Sequence, residues 1–331
     1  MGAKQFELGH DGATVGDRMT ANSCSPDMRT VVRAACLRAG IRADREPLRL
    51  SVSAVYRLPG GLVARVHRPD RAAAARRVIV GARWLRASGV GAVQPVSDID
   101  QPVRSHGHAV TFWHELPPYR PGTPAEVAAA LAHLHALPQP TDLELGLVEP
   151  FGPLEQRIRC ASALGDADRR WLGDQVAWLR DRWRALPGGR PWTVIHGNAT
   201  PNAVIVTRDG RVLLRNLDQL AIGPPEWDLV PTALELVSLG WTTTQQYAEF
   251  TRAYGHDVLR WAGYFLLRDI RELHLVTRAA QAALTHPGYR GQALHRLSCL
   301  RGDEGPRPWP GWRRLPARSV VAAMVIRDAK R

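Results

Sequence analysis

The chain is poor in cysteine, almost devoid of lysine, and has no long apolar run. Its four cysteines, Cys24, Cys36, Cys160 and Cys299, form no CxxC pair and no metal-ligand spacing. The spacing gives no sign of a cysteine-built metal site, and reduced thiols in a cytoplasmic protein are expected. No stretch reaches the roughly 18 apolar residues of a membrane-spanning helix. The opening MGAKQFELGHDG has no apolar secretory segment. Phe6 stands where a myristoylation signal needs Ser or Thr. No membrane partner is expected.

What is abundant is arginine. Of 44 basic residues only Lys4 and Lys330 are lysine, and the formal net charge is +13. Such a surface can attract nucleic acid or phosphorylated ligands. However, no five basic residues are consecutive and no nucleic-acid motif is present. The bias reads as a GC-rich coding sequence, so nucleic acid is not an expected partner. Hydrophobic residues make up 45% and charged residues 23% of the chain, enough for a core and against global disorder. A length of 331 residues suits two lobes or domains.

Residues 1–24 read as a flexible polar leader, with Met19 or Met28 as alternative starts. Ser25-Pro26-Asp27 reads as a helix opening, with a cap, Pro at the first position and an early acid. Residues 48–68 predict two strands around the Pro59-Gly60-Gly61 turn. An Ala/Arg-rich helix over 71–86 follows, with Val78, Ala82 and Leu85 on one face. Residues 108–116 read as a strand that Pro117-Pro118 ends. These parts make a small β-rich N-lobe, 25–117.

The C-lobe spans 118–300. Thr123-Pro124-Ala125-Glu126 is a capping box for a helix ending near Leu137. A long helix covers 166–186. Strands follow at 192–196, 203–206 and 212–214, with Asp209-Gly210 as the hairpin turn. Helices are expected over 227–240, 243–254 and 257–283. Residues 301–331, with Pro306, Pro308, Pro310 and Pro316 among arginines, read as a mostly disordered tail.

The most informative stretch is Val194–Leu229, VIHGNATPNAVIVTRDGRVLLRNLDQLAIGPPEWDL. With LLRDIRELHLVTRAAQ over Leu266–Gln281, it resembles the aminoglycoside-phosphotransferase family of small-molecule kinases, a likeness covering about residues 28–295. The resemblance implies an α+β, two-lobed protein-kinase-like fold, with ATP or another nucleotide between the lobes and a small-molecule ligand beside it. In that family an H-G-D loop, then four residues and an N, supplies the catalytic base and a metal ligand. A D-F-D segment supplies the second metal ligand. A Gly-rich hairpin and a basic strand residue hold the phosphates, and a helix Glu holds the basic residue.

Carried onto this chain, the frame is present and the charged positions are changed. His196 and Gly197 remain. Asn198 takes the place of the catalytic Asp, and an amide has no useful basicity. Ala203 takes the place of the ligand Asn, and Asn216 that of the ligand Asp. Mg²⁺ prefers carboxylate oxygens, so it is not an expected cofactor. Ser51 and Ser53 fall at the phosphate-covering hairpin, Arg65 at the basic strand position, and Val78 at its Glu partner. Backbone groups at Glu115 and Leu116 would meet the base. A register shift would make Asn202 and Asp218 metal ligands, with Asp218 in a catalytic role. Otherwise Asp218 is a structural acceptor. Asp228 suits the start of a helix and, by resemblance, braces the loop or lines the acceptor site. Asp269 and Glu272 would contact a cationic acceptor or form a surface ion-pair set. The expectation is a pseudokinase that binds a nucleotide, a small metabolite or a protein partner. The alternatives are an active small-molecule kinase with shifted ligands and a repurposed enzyme of specialised metabolism.

Overall fold

The computed structural model describes residues 27–42, 48–51 and 54–315. The readings for the leader 1–24, for Ser53 and for 316–331 lie outside the described residues.

The N-lobe starts with α1 (Met28–Arg38), capped by Asp27, whose carboxylate accepts the Arg29 N–H at 3.2 Å. The cap is thus Asp27 rather than Ser25. Strands β1 (Leu48–Ser51), β2 (Val55–Leu58) and β3 (Leu62–His67) precede α2 (Ala72–Ala87), and β4 (Val103–Ser105) and β5 (His108–His114) follow. They form one antiparallel sheet in the order β1-β2-β3-β5-β4. Side chains alternate with period two. Tyr56, Leu58, Ala64 and Val66 are buried against Val31, Val32, Ala35 and Cys36 of α1. Arg57, Val63, Arg65 and Thr111 point to the opposite face, because Arg57 pairs with Val63 and Arg65 with Thr111. That face carries the ion pairs described below.

The C-lobe is mostly helical. Its elements are β6 (Tyr119–Pro121), α3 (Pro124–His135), α4 (Gly152–Arg159), α5 (Asp166–Trp183), β7 (Thr193–Ile195), β8 (Val204–Thr207), β9 (Val212–Leu214), β10 (Ala221–Gly223), α6 (Glu226–Val237), α7 (Thr244–Tyr254), α8 (Tyr264–Ala283) and α9 (Arg290–Arg301). The capping box at Thr123 and Glu126 is formed in both directions. β6, β8 and β9 make one small sheet, and β7 and β10 another. Gly210, at φ +83°, closes the β8–β9 hairpin. One core runs from α2 through α3, α5, α6 and α8 to α9. Val78 lies in this core, where an apolar side chain is favoured because a carboxylate would have to give up its water.

Three expectations need correction. The helix expected over 257–283 starts at Tyr264. Before it, Asp257 caps a single turn, and the Trp261 indole lies 2.3 Å from where a Gly263 Cβ would stand. Helices α4 and α9 were not expected. The described part of the tail is packed against the C-lobe: Trp309 and Trp312 are buried and stacked at 5.4 Å. Arg307 grips Glu272, and Arg314 grips Glu235. The prolines bend this strap; they do not free it. No helix among the described residues is long and apolar enough to cross a membrane.

Candidate functional site

The loop after β7 is clamped by the start of α6. Asp228 is wholly buried, and both its oxygens accept backbone N–H groups, from His196 at 2.6 Å and Gly197 at 2.9 Å. His135 of α3 donates to the same carboxylate at 3.2 Å and meets the Tyr254 hydroxyl at 2.8 Å. Burial acts to raise the Asp228 carboxyl. The His135 hydrogen bond, with the positive charge of Arg271, outweighs it and holds the group below its ordinary value. Asp228 therefore braces the loop. The expectation that it lines an acceptor site is corrected, because the group is fully enclosed.

His196 is also fully buried. Its Nε2 donates to the Arg215 carbonyl at 2.8 Å, and its Nδ1 accepts the Asn198 N–H at 3.3 Å. Burial lowers its pKa, so the imidazole is neutral and structural. Gly197 has φ +78°, and a Cβ there would stand 2.1 Å from the Gln219 carbonyl. Its own carbonyl accepts from the Trp227 indole at 3.0 Å and from Arg271 at 3.1 Å.

Asn198 follows, half-buried, with its Oδ1 accepting from Arg278 of α8 at 3.3 Å. Ala203 is buried and offers no side-chain oxygen. The Asn202 carbonyl accepts from Arg215 Nε at 2.8 Å. Asn216 is left-handed, at φ 60° and ψ 45°, a conformation Asn tolerates better than most residues. Asp218 faces Arg65 at 3.4 Å. Arg65 was expected to lack a carboxylate because Val78 replaces its usual partner; the structure supplies Asp218 instead. This donor set suits Mg²⁺ poorly: one alanine, neutral amides and a carboxylate already paired with a guanidinium. Among the described residues no group of three His, Cys, Asp or Glu side chains is placed to hold a metal.

The same pair borders a cleft of about 260 Å³ lined by Arg65, His67, Arg68, Arg71, Arg77 and Asp218. Four arginines and one acid thus line it, and Arg68 is itself paired with Asp70 at 3.4 Å. His67 adds no charge at neutral pH, because burial, and then Arg65, lowers its pKa to about 4. A larger cavity, about 380 Å³, lies among Trp183, Arg190, Trp192 and Trp261. It contains none of the residues expected from sequence, so the Arg65 cleft is the better candidate.

The remaining expected residues are dispersed. Ser51 ends β1 opposite Val55. Glu115 is ion-paired with Arg57, and its N–H donates to the Gly61 carbonyl at 2.7 Å. Leu116 is half-buried beside it. Asp269 is held by Arg268 at 2.7 Å. Glu272 is wholly buried and occupied by Arg307 and by Ser238 at 2.6 Å. At about 100° per residue, Glu272 and Asp269 lie far around α8 from Arg271, which touches the loop. Neither fits an acceptor-contacting role. The residues missed are Arg271, His274 and Arg278. Their spacing marks one face of α8, a signal that the interleaved acids Asp269 and Glu272 obscure.

The sequence profile of the phosphotransferase enzyme family matches residues 45–273. Comparison with curated proteins gives no match. Among solved structures, an aminoglycoside-3'-phosphotransferase of type VIII is 20% identical, covers 74% of this chain and 98% of its own, and superposes with a TM-score of 0.53. A choline/ethanolamine kinase family protein from Mesorhizobium loti is 18% identical, with coverages of 78% and 86% and a TM-score of 0.52. A spectinomycin phosphotransferase solved with ADP and spectinomycin is 12% identical, with coverages of 77% and 85% and a TM-score of 0.52. These likenesses establish the two-lobed kinase-like fold. With the profile spanning more than half of the sequence, the chain belongs to the phosphotransferase enzyme family that includes the aminoglycoside phosphotransferases.

Proposed function

We propose that this protein is a pseudokinase: a member of the family that binds a nucleotide or a similar polyanion in the Arg65 cleft with little or no phosphoryl transfer. One observation carries the reading. By its motif likeness, the His196-Gly197-Asn198 loop puts an amide at the position of the family's catalytic carboxylate, and the Asn198 oxygen accepts from Arg278 at 3.3 Å. An amide in that position can orient a hydroxyl but cannot take its proton.

The cleft supports binding without a metal. Arg65, Arg68, Arg71 and Arg77 would hold phosphate oxygens, as guanidiniums do in bidentate pairs. The Arg65–Asp218 pair is substantially exposed, with side chains 39% and 45% accessible, and such pairs contribute under about 1 kcal/mol. A multiply charged phosphate can therefore displace Asp218. The spectinomycin phosphotransferase of this fold was solved with ADP, which makes a nucleotide the first ligand to test.

Calorimetry with ATP, in Mg²⁺ and then in EDTA, tests the proposal. Binding of equal strength in both, weakened by Arg65→Gln, supports it. Binding that requires Mg²⁺ refutes it and favours Asp218 as a shifted metal ligand.

A further inference from the structure

The Arg65 cleft is furnished for phosphate and for little else. Its volume of about 260 Å³ falls below the roughly 300–1,000 Å³ of pockets that enclose a whole organic ligand. Arg65 reaches it from β3, and Arg71 and Arg77 from the N-terminal end of α2. Those two stand about 9 Å apart along the helix axis, and the small side chains of Ala74 and Ala75 leave room between them. Arg65 is paired with Asp218, and Arg68 with Asp70. Arg71 and Arg77 are exposed, and their guanidiniums make no hydrogen bond or ion pair among the described residues. Burial, then Arg65 and to a smaller extent Arg71, lower the His67 pKa, so two of the cations converge on one ring. Cations gathered without carboxylates repel one another until an anion enters.

The same lining lacks the groups that read a base or a sugar. Among the described residues no amide, hydroxyl or indole side chain borders the cleft, and His67 is engaged with the Thr111 hydroxyl at 3.0 Å. The segment between the lobes adds little. The Glu115 N–H donates to the Gly61 carbonyl at 2.7 Å, and its carboxylate is held by Arg57. Pro117 and Pro118 have no N–H. Over residues 115–118 the Leu116 N–H is thus the one main-chain donor left for a base, and every base carries an acceptor that satisfies it. We propose that the cleft recognises the phosphate chain alone: its ligand class is linear polyphosphates of three or more phosphates, inorganic or carried on any nucleoside, bound without a metal. The inference rests on the reading above in placing the polyanion at Arg65, and it adds that base and ribose contribute nothing to affinity. Each phosphate offers oxygens to one guanidinium, so a set of four arginines suits a chain of phosphates better than a single one.

The test is calorimetric titration of the full chain in EDTA with tripolyphosphate, pyrophosphate, phosphate, ATP, GTP and adenosine. Tripolyphosphate, ATP and GTP bind within about threefold of one another. Pyrophosphate is weaker by roughly tenfold and phosphate by roughly tenfold again, one charge-assisted contact being lost with each phosphate. Adenosine does not bind. Arg71→Gln and Arg77→Gln each weaken tripolyphosphate and ATP by the same factor, roughly tenfold. Arg76→Gln, the same charge removed from an exposed neighbouring position outside the cleft, leaves binding unchanged. These arginines are all exposed, so none of the variants puts folding at stake. ATP or GTP binding more than about tenfold tighter than tripolyphosphate overturns the inference. So does saturation by adenosine, or Arg77→Gln behaving like Arg76→Gln. The first two results leave the metal-free nucleotide reading standing. ATP that binds only with Mg²⁺, or no binding by any of these compounds, refutes that reading and this inference with it.

Discussion

Replacing Asp228 by Asn should cost the protein a large share of its stability. The carboxylate is inaccessible to solvent, and each oxygen accepts one backbone N–H, from His196 or from Gly197. Asparagine has nearly the same shape, but one oxygen becomes an NH₂ group. Whichever way the amide turns, a donor then faces a donor. The substitution also removes the anion that favours the charge of buried Arg271, whose pKa burial already pushes down to about 9. Hydrogen bonds to a charged group contribute about 1.5–3 kcal/mol each, and breaking a buried charge network costs about 3–5 kcal/mol. The expected loss is therefore about 3–5 kcal/mol, against a typical total of about 5–15 kcal/mol. Urea unfolding followed by tryptophan fluorescence measures it. Asp269→Asn is the matched control, because Asp269 is partly exposed and paired with neighbouring Arg268; its cost should stay under about 1 kcal/mol. A loss below about 1 kcal/mol for Asp228→Asn would refute the bracing argument.

Other consequences follow from the same geometry. Gly197→Ala must move the Gln219 carbonyl and hold alanine at φ +78°, so it should cost at least about 3 kcal/mol in the same assay. Trp312→Ala should cost about 3–5 kcal/mol and Arg307→Ala about 3 kcal/mol, because the first opens a cavity and the second strands Glu272; wild-type melting of a chain cut after Arg301 would contradict both. Acid should destabilise the fold. His67 has a folded pKa of about 4 against an ordinary 6.5, so the unfolded chain binds more protons between those values. Stability is then fully present above about pH 6.5 and falls toward pH 4, with roughly 2 kcal/mol from His67 after allowing for partial exposure. In His67→Gln the urea midpoint should depend less steeply on pH over that window; an unchanged slope would contradict the assignment.

The sequence was most legible where local chemistry decides structure. The Thr123 capping box, the Asp209-Gly210 turn and the alternation in β2 and β3 all depend on near neighbours. The loop around His196 was readable because Gly197 and Asp228 are demanded by backbone geometry. Long-range pairing was not readable. The Asp218 partner of Arg65 is 153 positions away, and nothing local announces it. Helix α9 and the strap were hidden for a related reason. Arginine normally signals surface, yet Arg296 is almost fully buried beneath Trp312, where cation–π contact at 5.0 Å replaces water. Glu272 misled in the opposite sense. On sequence it is one charge among several on a helix, but in the fold it is the buried anchor of Arg307.

The most direct measurement is transfer of label from γ-labelled ATP to small alcohols, amino sugars and water, with and without Mg²⁺. An Asn198 amide held by Arg278 predicts no Mg²⁺-dependent product from the purified chain above the protein-free blank, although ATP is bound. Labelled alcohol formed with Mg²⁺ at roughly 1–100 s⁻¹, the ordinary range for kinases, and abolished by Asp218→Ala, would contradict it.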